Sequence, residues 1–248
     1  MHILSMLKGI AIPPPGWVLT LALSMAGGMA LAGCEPAVEP NSTAAPSEAI
    51  ATIQAIVAQP VWVTLGQAAP QPAQLAQQMA YGDRLRTEDQ ALAEVGLING
   101  AVFRVGGNAT LTLRPNQIDL GEGQMITWAE GALAAPVEIV TPAAIAGIRG
   151  TTVFVNIAAD PTAPIEFFAW EGEVAVRLAD GGEEVTLTSG EQLFVTPGET
   201  DIEALRQQVQ PIDRPTAEQR LQESPLINGF TSSLPTRPAI EATVNALE

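Results

Sequence analysis

The sequence predicts an all-β fold: an antiparallel sandwich, a jelly roll or a solenoid-like stack of short strands, with a signal helix at the N-terminus and short helices at the C-terminus. Three observations carry this. The 248 residues include 20 prolines and 22 glycines but only 4% aromatics, which favours many short strands over long helices. Apolar residues alternate with polar or small ones in short runs, the period of a strand with one buried face. The dipeptides Asn99-Gly100, Asp160-Pro161 and Ser189-Gly190 punctuate those runs as turns.

The first 33 residues read as a secretory signal. Lys8 and Pro13 to Pro15 precede an apolar run from Trp17 to Ala32, which closes on Leu31-Ala-Gly-Cys34. That ending resembles a bacterial lipobox, and the resemblance assigns the thiol of Cys34 to a diacylglycerol. The competing reading is an uncleaved membrane helix, but the run falls short of the roughly 20 residues a bilayer crossing needs. Residues 34–49, rich in Pro, Ala, Ser, Thr and Glu, cannot bury enough apolar surface to offset chain entropy and read as a flexible tether.

The β-region follows over 50–197. Ile50 to Val57 and Val61 to Leu65 are the first strands, broken at Gln59-Pro60; a loop from Ala68 to Gln74 leads to a turn of helix around Leu75 to Met79. Ala91, Ala93, Val95 and Leu97 alternate up to Asn99-Gly100, a hairpin signal whose two central positions both need positive φ, and Phe103 and Val105 return. A second pair is expected from Thr110 to Leu113 and Gln117 to Leu120. A turn at Gly121-Glu-Gly123 then leads into Gln124 to Glu130, with Ile126 and Trp128 on one face.

Ile139-Val140 ends at Thr141-Pro142. From Ile148 to Asn156 apolar residues occupy both faces, as in a central strand, with Gly147 and Gly150 flanking Arg149. Asp160-Pro161 turns into Ile165 to Trp170, Glu173 to Leu178 pairs through Asp180-Gly-Gly182 with Glu184 to Leu187, and Gln192 to Val195 closes an antiparallel meander. Phe167 and Phe168 cannot share a face, so one must be covered by something other than the main core.

Residues 198–248 form a tail of helix and loop. Thr200 and Glu203 make a capping box for a helix bearing Ile202, Leu205 and Val209, which stops at Pro211. Pro215 to Gln222 is a weaker helical turn, Ser224 to Pro238 reads as loop, and Ile240, Val244 and Leu247 suit one more amphipathic helix. The tail either clamps onto the sheet or stays loose.

Charge and residue types exclude much chemistry. The net charge is −16, and after Cys34 there are ten arginines, no lysine and no histidine against all 27 acidic residues, which disfavours nucleic acid as a partner. Cys34 is the one cysteine, so no intrachain disulfide forms. Without histidine or a free thiol in the β-region, Ser-His-Asp and Cys-His constellations are impossible and the usual zinc ligands are missing. No calcium loop is present, and no metal or cofactor is expected.

What remains is binding. Trp128 and Trp170, with Glu130, Glu171 and Glu173 nearby, could stack on and hydrogen-bond a glycan; cleavage is disfavoured because Glu171 precedes Gly172, where a turn wants a polar residue. Arg149 is read as a structural arginine tied to Glu171 or Glu173, with a ligand-facing cation as the alternative.

Val140-Thr-Pro142, Gly147-Ile-Arg-Gly-Thr151 with Phe154-Val155, and Trp170-Glu-Gly-Glu-Val174 resemble the signature of FecR-domain proteins. Upstream, Gly82-Asp-Arg-Leu-Arg-Thr87 and the strands through Leu113 fall where that family places its earlier strands, and the likeness covers roughly Ile50 to Pro197. The resemblance makes Thr141, Pro142, Gly147, Arg149, Gly150, Thr151, Trp170 and Gly172 structural motif residues. It implies a non-catalytic sensing, scaffolding or binding module. The namesake role, sigma-factor regulation in response to an iron–siderophore receptor, uses a cytoplasmic segment joined through a membrane helix. The residues before the β-region read here as signal and tether. The expectation is therefore a lipid-anchored protein on the periplasmic side of the cell envelope, whose partner is another envelope protein, peptidoglycan or a glycan.

Overall fold

The computed structural model describes residues 48–248 apart from Glu130, Ala132, Ala134 and Arg149. The signal, lipidation at Cys34, nearly all of the tether, and the roles expected of Glu130 and Arg149 lie outside the described residues.

The strands are β1 Ala51–Val57, β2 Val61–Thr64, β3 Gln71–Pro72, β4 Gln78–Met79, β5 Arg84–Thr87, β6 Leu92–Leu97, β7 Ala101–Arg114, β8 Gln117–Ala129, β9 Val137–Val140, β10 Ala144–Ile148, β11 Thr152–Ile157, β12 Ile165–Glu171, β13 Val174–Leu178, β14 Glu184–Leu187 and β15 Glu191–Val195. Helix α1 Ile202–Gln208 precedes β16 Gln210–Pro211, and α2 Arg214–Glu223, α3 Pro225–Asn228 and α4 Arg237–Ala246 complete the chain. No helix among the described residues is long and apolar enough to cross a membrane.

The long hairpin β7–β8 is the spine. Each of its strands serves two half-sheets. Ala101–Gly106 of β7 and Gly123–Ala129 of β8 belong to a first half-sheet with β4, β1 and β6 on one side and β11, β12, β15 and β16 on the other. Thr110–Arg114 and Gln117–Glu122 belong to a second, with β3, β2 and β5 on one side and β9, β10, β13 and β14 on the other. Inward residues of both, such as Phe103, Val153 and Phe167 from the first and Leu111, Ile139 and Val176 from the second, share one apolar core. The half-sheets therefore pack face to face.

A bulge makes that bend. The β7–β8 register slips between Gly106 and Thr110, where Gly107 and Asn108 have φ of 65° and 62°. Opposite them Gly123 has φ of 87°, and a Cβ there would stand 2.3 Å from the Cα of Ala109, so only glycine fits. The turn expected at Gly121-Glu-Gly123 is thus a bulge inside a continuous strand.

Other expectations are corrected in the same physical terms. At Asn99-Gly100 the N–H of Gly100 donates to Leu97 O at 3.1 Å and only Gly100 of the two has positive φ, so the hairpin has a three-residue loop ending in a left-handed glycine. Leu75 to Met79 makes no helix, because Ile53 N–H donates to Gln77 O, Ala76 N–H donates to Ile53 O, and Met79 pairs with Ala51. The strand expected from Ile148 to Asn156 is two strands, split where Gly150 at φ 87° turns the chain from β10 in one half-sheet to β11 in the other. The meander is also interrupted: β13 pairs with β10 and β15 with β12, while β9 lies parallel to β8, so the sheet is mixed.

Several motif residues acquire packing reasons. Thr141 Oγ1 donates to Ala144 O at 2.7 Å and accepts from Ala144 N at 3.1 Å, closing the β9–β10 hairpin around Pro142. Gly147 lies between Glu138 and Ala175 in register and contributes no side chain to the space where Arg177 meets Glu138 at 2.8 Å. That hydrogen bond, more than the opposing effect of burial, holds the Glu138 carboxyl below its usual range. A Cβ on Gly172, whose φ is 82°, would meet Thr151 Cγ2 at 2.6 Å.

The tail is a third layer. Leu205 of α1 enters the main core, capped by Asp201, whose carboxylate accepts from the N–H groups of Glu203 and Ala204; Thr200 is not the cap. The segment from Ser224 to Pro238, expected as loop, contains α3 and buries Leu226, Ile227, Phe230 and Leu234. With Ala217, Leu221, Ile240 and Val244 they cover the outer face of the first half-sheet, over Leu92, Ile126, Trp128, Phe168 and Trp170. Phe167 faces the main core and Phe168 this layer. Each fully buried side chain of this kind contributes about 1.5–3 kcal/mol, which holds the tail down.

Candidate functional site

The outer face of the first half-sheet is laid out in rows by strand register. One row runs Ala55, Glu94, Arg104, Ile126, Phe154, Phe168, Gln192, and the next runs Val57, Leu92, Gly106, Gln124, Asn156, Glu166, Phe194. The first row fastens the tail. The second opens beside it.

Arg104 is the fastening. Its side chain is 1% exposed, yet every edge of its guanidinium is used: Nε donates to Glu94 Oε2 at 2.7 Å, Nη1 to Leu226 O at 3.0 Å, and Nη2 to Ser232 O at 2.8 Å and Ser232 Oγ at 3.1 Å. The ring of Phe230 stacks on it at 4.1 Å and Trp128 lies 5.3 Å away. A planar fork with five donors suits this crowd of acceptors, and lysine could not replace it. Strand β6 supplies the counter-charge, and carbonyls at the end of α3 and in the following turn supply the rest.

Beside this clasp lies a cleft of about 310 Å³ between the sheet and the α2–α3 corner, lined by Gln124, Phe154, Asn156, Glu166, Trp170, Arg220, Glu223, Ser224 and Pro225. Arg220 pairs with Glu166, reaches Gln192 at 3.4 Å and lies over the Phe168 ring at 5.5 Å. Asp213, accepting from Thr216 N at 3.0 Å, caps α2 and so aims that helix along the cleft wall. Those hydrogen bonds from Thr216 hold the Asp213 carboxyl below its usual range. Ser224 stands at the start of α3 without a side-chain capping bond. No hydrogen bond joins the side-chain amides of Gln124 or Asn156 to another described residue. In a hollow of about 190 Å³ near Tyr81 and Ile98, three of the polar lining residues are engaged, Asn99 by Ala101 N–H, Arg114 by Asp119 and Gln117 by Glu138.

The residues expected to bind are only partly brought together here. Trp128 and Trp170 are each 3% exposed, so under the tail layer neither offers an open ring for stacking; Trp170 packs edge-on against Phe168, centroids 4.7 Å apart, and presents only a margin to the cleft. Glu171 accepts from Thr152 Oγ1 at 2.8 Å, which in turn meets Thr236 Oγ1 at 2.8 Å, while Glu173 points to solvent.

Sequence reasoning overlooked Glu94 with Arg104, Phe154 with the amide row, and Arg220 with Glu166. Glu94 and Arg104 were legible in principle: they stand equidistant from Asn99 and therefore face each other across the hairpin. The others depend on strand pairings distant in sequence. Among the described residues no three His, Cys, Asp or Glu side chains converge as metal ligands. The cleft's chemistry is hydrogen bonding around a compensated ion pair.

Residues 83–175 match the family model described as FecR protein. No curated protein matches the sequence. Two crystal structures of a candidate anti-sigma factor from Parabacteroides distasonis, at 1.65 and 2.50 Å resolution, are among the solved structures with partial similarity to this chain. The first shares 15% identity at a TM-score of 0.43, covering 55% of this chain and 64% of that one. The second shares 16% at 0.44, covering 56% and 64%. The chain thus spans less than two thirds of their length.

Proposed function

We propose that this chain, which carries a FecR-family segment over residues 83–175, is a non-catalytic sensing or scaffolding module of the cell envelope, lipid-anchored through Cys34 on the periplasmic side. The observation that carries the binding role is the cleft beside the α2–α3 corner, where polar side chains of three adjacent strands lie next to a tail that is clasped to the sheet. A ligand there touches both layers at once, so its occupancy reports on how tightly the tail is held. That is a physical basis for sensing. The family match supports a regulatory module over an enzyme.

The anchor is supported by Leu31-Ala-Gly-Cys34 at the end of the apolar run. Fractionation of cells producing Cys34→Ser tests it: the variant loses the acylated, membrane-bound species. The same processed, membrane-bound species from the Ser protein contradicts the anchor, since serine has no thiol to carry the diacylglycerol. The binding role is tested by crosslinking intact cells and isolating the wild-type chain. A discrete adduct supports it, and recovery of uncrosslinked chain alone opposes it.

A glycan ligand is a second reading, favoured by Trp170 at the cleft margin. It replaces the open tryptophan platform with a narrower site.

A further inference from the structure

The cleft's lining specifies a chemistry. Gln124, Asn156 and Glu166 face each other in register on β8, β11 and β12, so their side chains form a ladder with the interstrand spacing of about 4.8 Å, the order of one sugar ring. Phe154, half-buried, lies one row away and offers an apolar face beside the ladder. Across the opening stand Arg220, Glu223, Ser224 and Pro225.

The groups available to a ligand are neutral. The amides of Gln124 and Asn156 each carry donors and an acceptor, and the hydroxyl of Ser224 carries both, with no capping bond to engage it. The charged groups are largely committed: Arg220 to Glu166 and Gln192, and Glu223 to Gln219 at 3.2 Å. With two carboxylates against one guanidinium the cleft also repels an anion. An extended peptide finds no free strand edge here, because β8, β11 and β12 are each paired on both sides. Hydroxyl groups on an apolar ring are what such a wall matches, a few convergent polar groups beside an aromatic side chain.

We propose that the cleft between β8–β11–β12 and the α2–α3 corner binds a neutral saccharide, with Gln124, Asn156 and Ser224 hydrogen-bonding its hydroxyls and Phe154 lying against its ring. The assignment rests on the reading of the chain as a binding module and names its ligand class. The oligosaccharide comes either from amino sugars, as in cell-wall glycan, or from a plain glucan.

Isothermal titration of the full-length chain in detergent tests it, with chitotetraose and maltotetraose as the neutral probes and tetragalacturonate as the acidic one. One neutral probe gives saturable binding, which identifies the source; the acidic one does not bind. The double variant Gln124→Ala/Asn156→Ala weakens that binding about tenfold or more, as expected for two lost hydrogen bonds, while circular dichroism and the thermal midpoint stay near wild type. Two results overturn the proposal: no saturation by either neutral probe up to about 10 mM, or equal affinity for the double variant. If those negatives come with a discrete protein adduct in crosslinked cells, the module reading stands and the saccharide assignment alone falls.

Discussion

Replacing Arg104 with methionine keeps an unbranched stem of similar reach and removes the guanidinium. The Glu94 carboxylate, in a residue 9% exposed, then has no partner, and the carbonyls of Leu226 and Ser232 lose their donors. Removing one member of a buried charge pair costs about 3–5 kcal/mol. The lost contacts with the Phe230 and Trp128 rings add on the order of 1 kcal/mol; Ser232 is exposed and its carbonyl can reach water, but the buried Leu226 carbonyl is left without its donor and adds to the loss. The expected loss is at least about 4 kcal/mol. Urea unfolding followed by tryptophan fluorescence reads it directly. With a slope of about 2.5 kcal/mol/M the midpoint falls by roughly 1.5 M, provided the slope itself is unchanged.

The double variant Arg104→Met/Glu94→Leu separates charge from shape. Removing both charges relieves the unpaired carboxylate, so it recovers most of the loss and lies within about 1 kcal/mol of wild type. A single Arg104→Met variant within about 0.5 kcal/mol of wild type, or no recovery in the double variant, would refute the clasp as a stabilising part of the tail's attachment.

Three further outcomes follow from other sites. Gly123→Ala forces a side chain against the Ala109 backbone in a left-handed conformation and destabilises by at least about 2 kcal/mol, read in the same urea melts. Thr127→Val is neutral or stabilising by about 1 kcal/mol in thermal melts, because the Thr127 hydroxyl is buried without a hydrogen-bond partner among the described residues. Glu138 has a folded pKa below its ordinary value, so its pairing with Arg177 stabilises above that value and the benefit is lost as pH falls through it towards the lower folded value. Solvent reaches the pair, which keeps the contribution under about 1 kcal/mol, and Glu138→Gln flattens the acid side of the stability–pH curve by that much.

What was legible in the sequence was local. Period-two alternation located β6, and the Asn99-Gly100 signal located its hairpin, because a left-handed residue there is set by neighbours in sequence. The rule that adjacent side chains on a strand point apart predicted a second covering layer from Phe167 and Phe168 alone, and helical spacing found α1 and α4. What was not legible depends on long-range pairing. Gly121 and Gly123 look like a turn until the bulge opposite them is known. Ile148 to Asn156 reads as one strand because alternation cannot reveal that Gly150 hands the chain to a different half-sheet. The cleft is assembled from β8, β11, β12 and the α2–α3 corner, so no single stretch displays it.

Photo-crosslinking from the cleft in intact cells tests the binding role most directly. A benzophenone-bearing amino acid replaces Glu223, an exposed residue at the rim of the cleft, in the full-length chain, and a control places it at Thr186, an exposed residue on β14 in the other half-sheet. The account predicts a discrete adduct of the chain with an envelope component from position 223 and none from position 186. Absence of any adduct from position 223, or the same adducts from both positions, would contradict it.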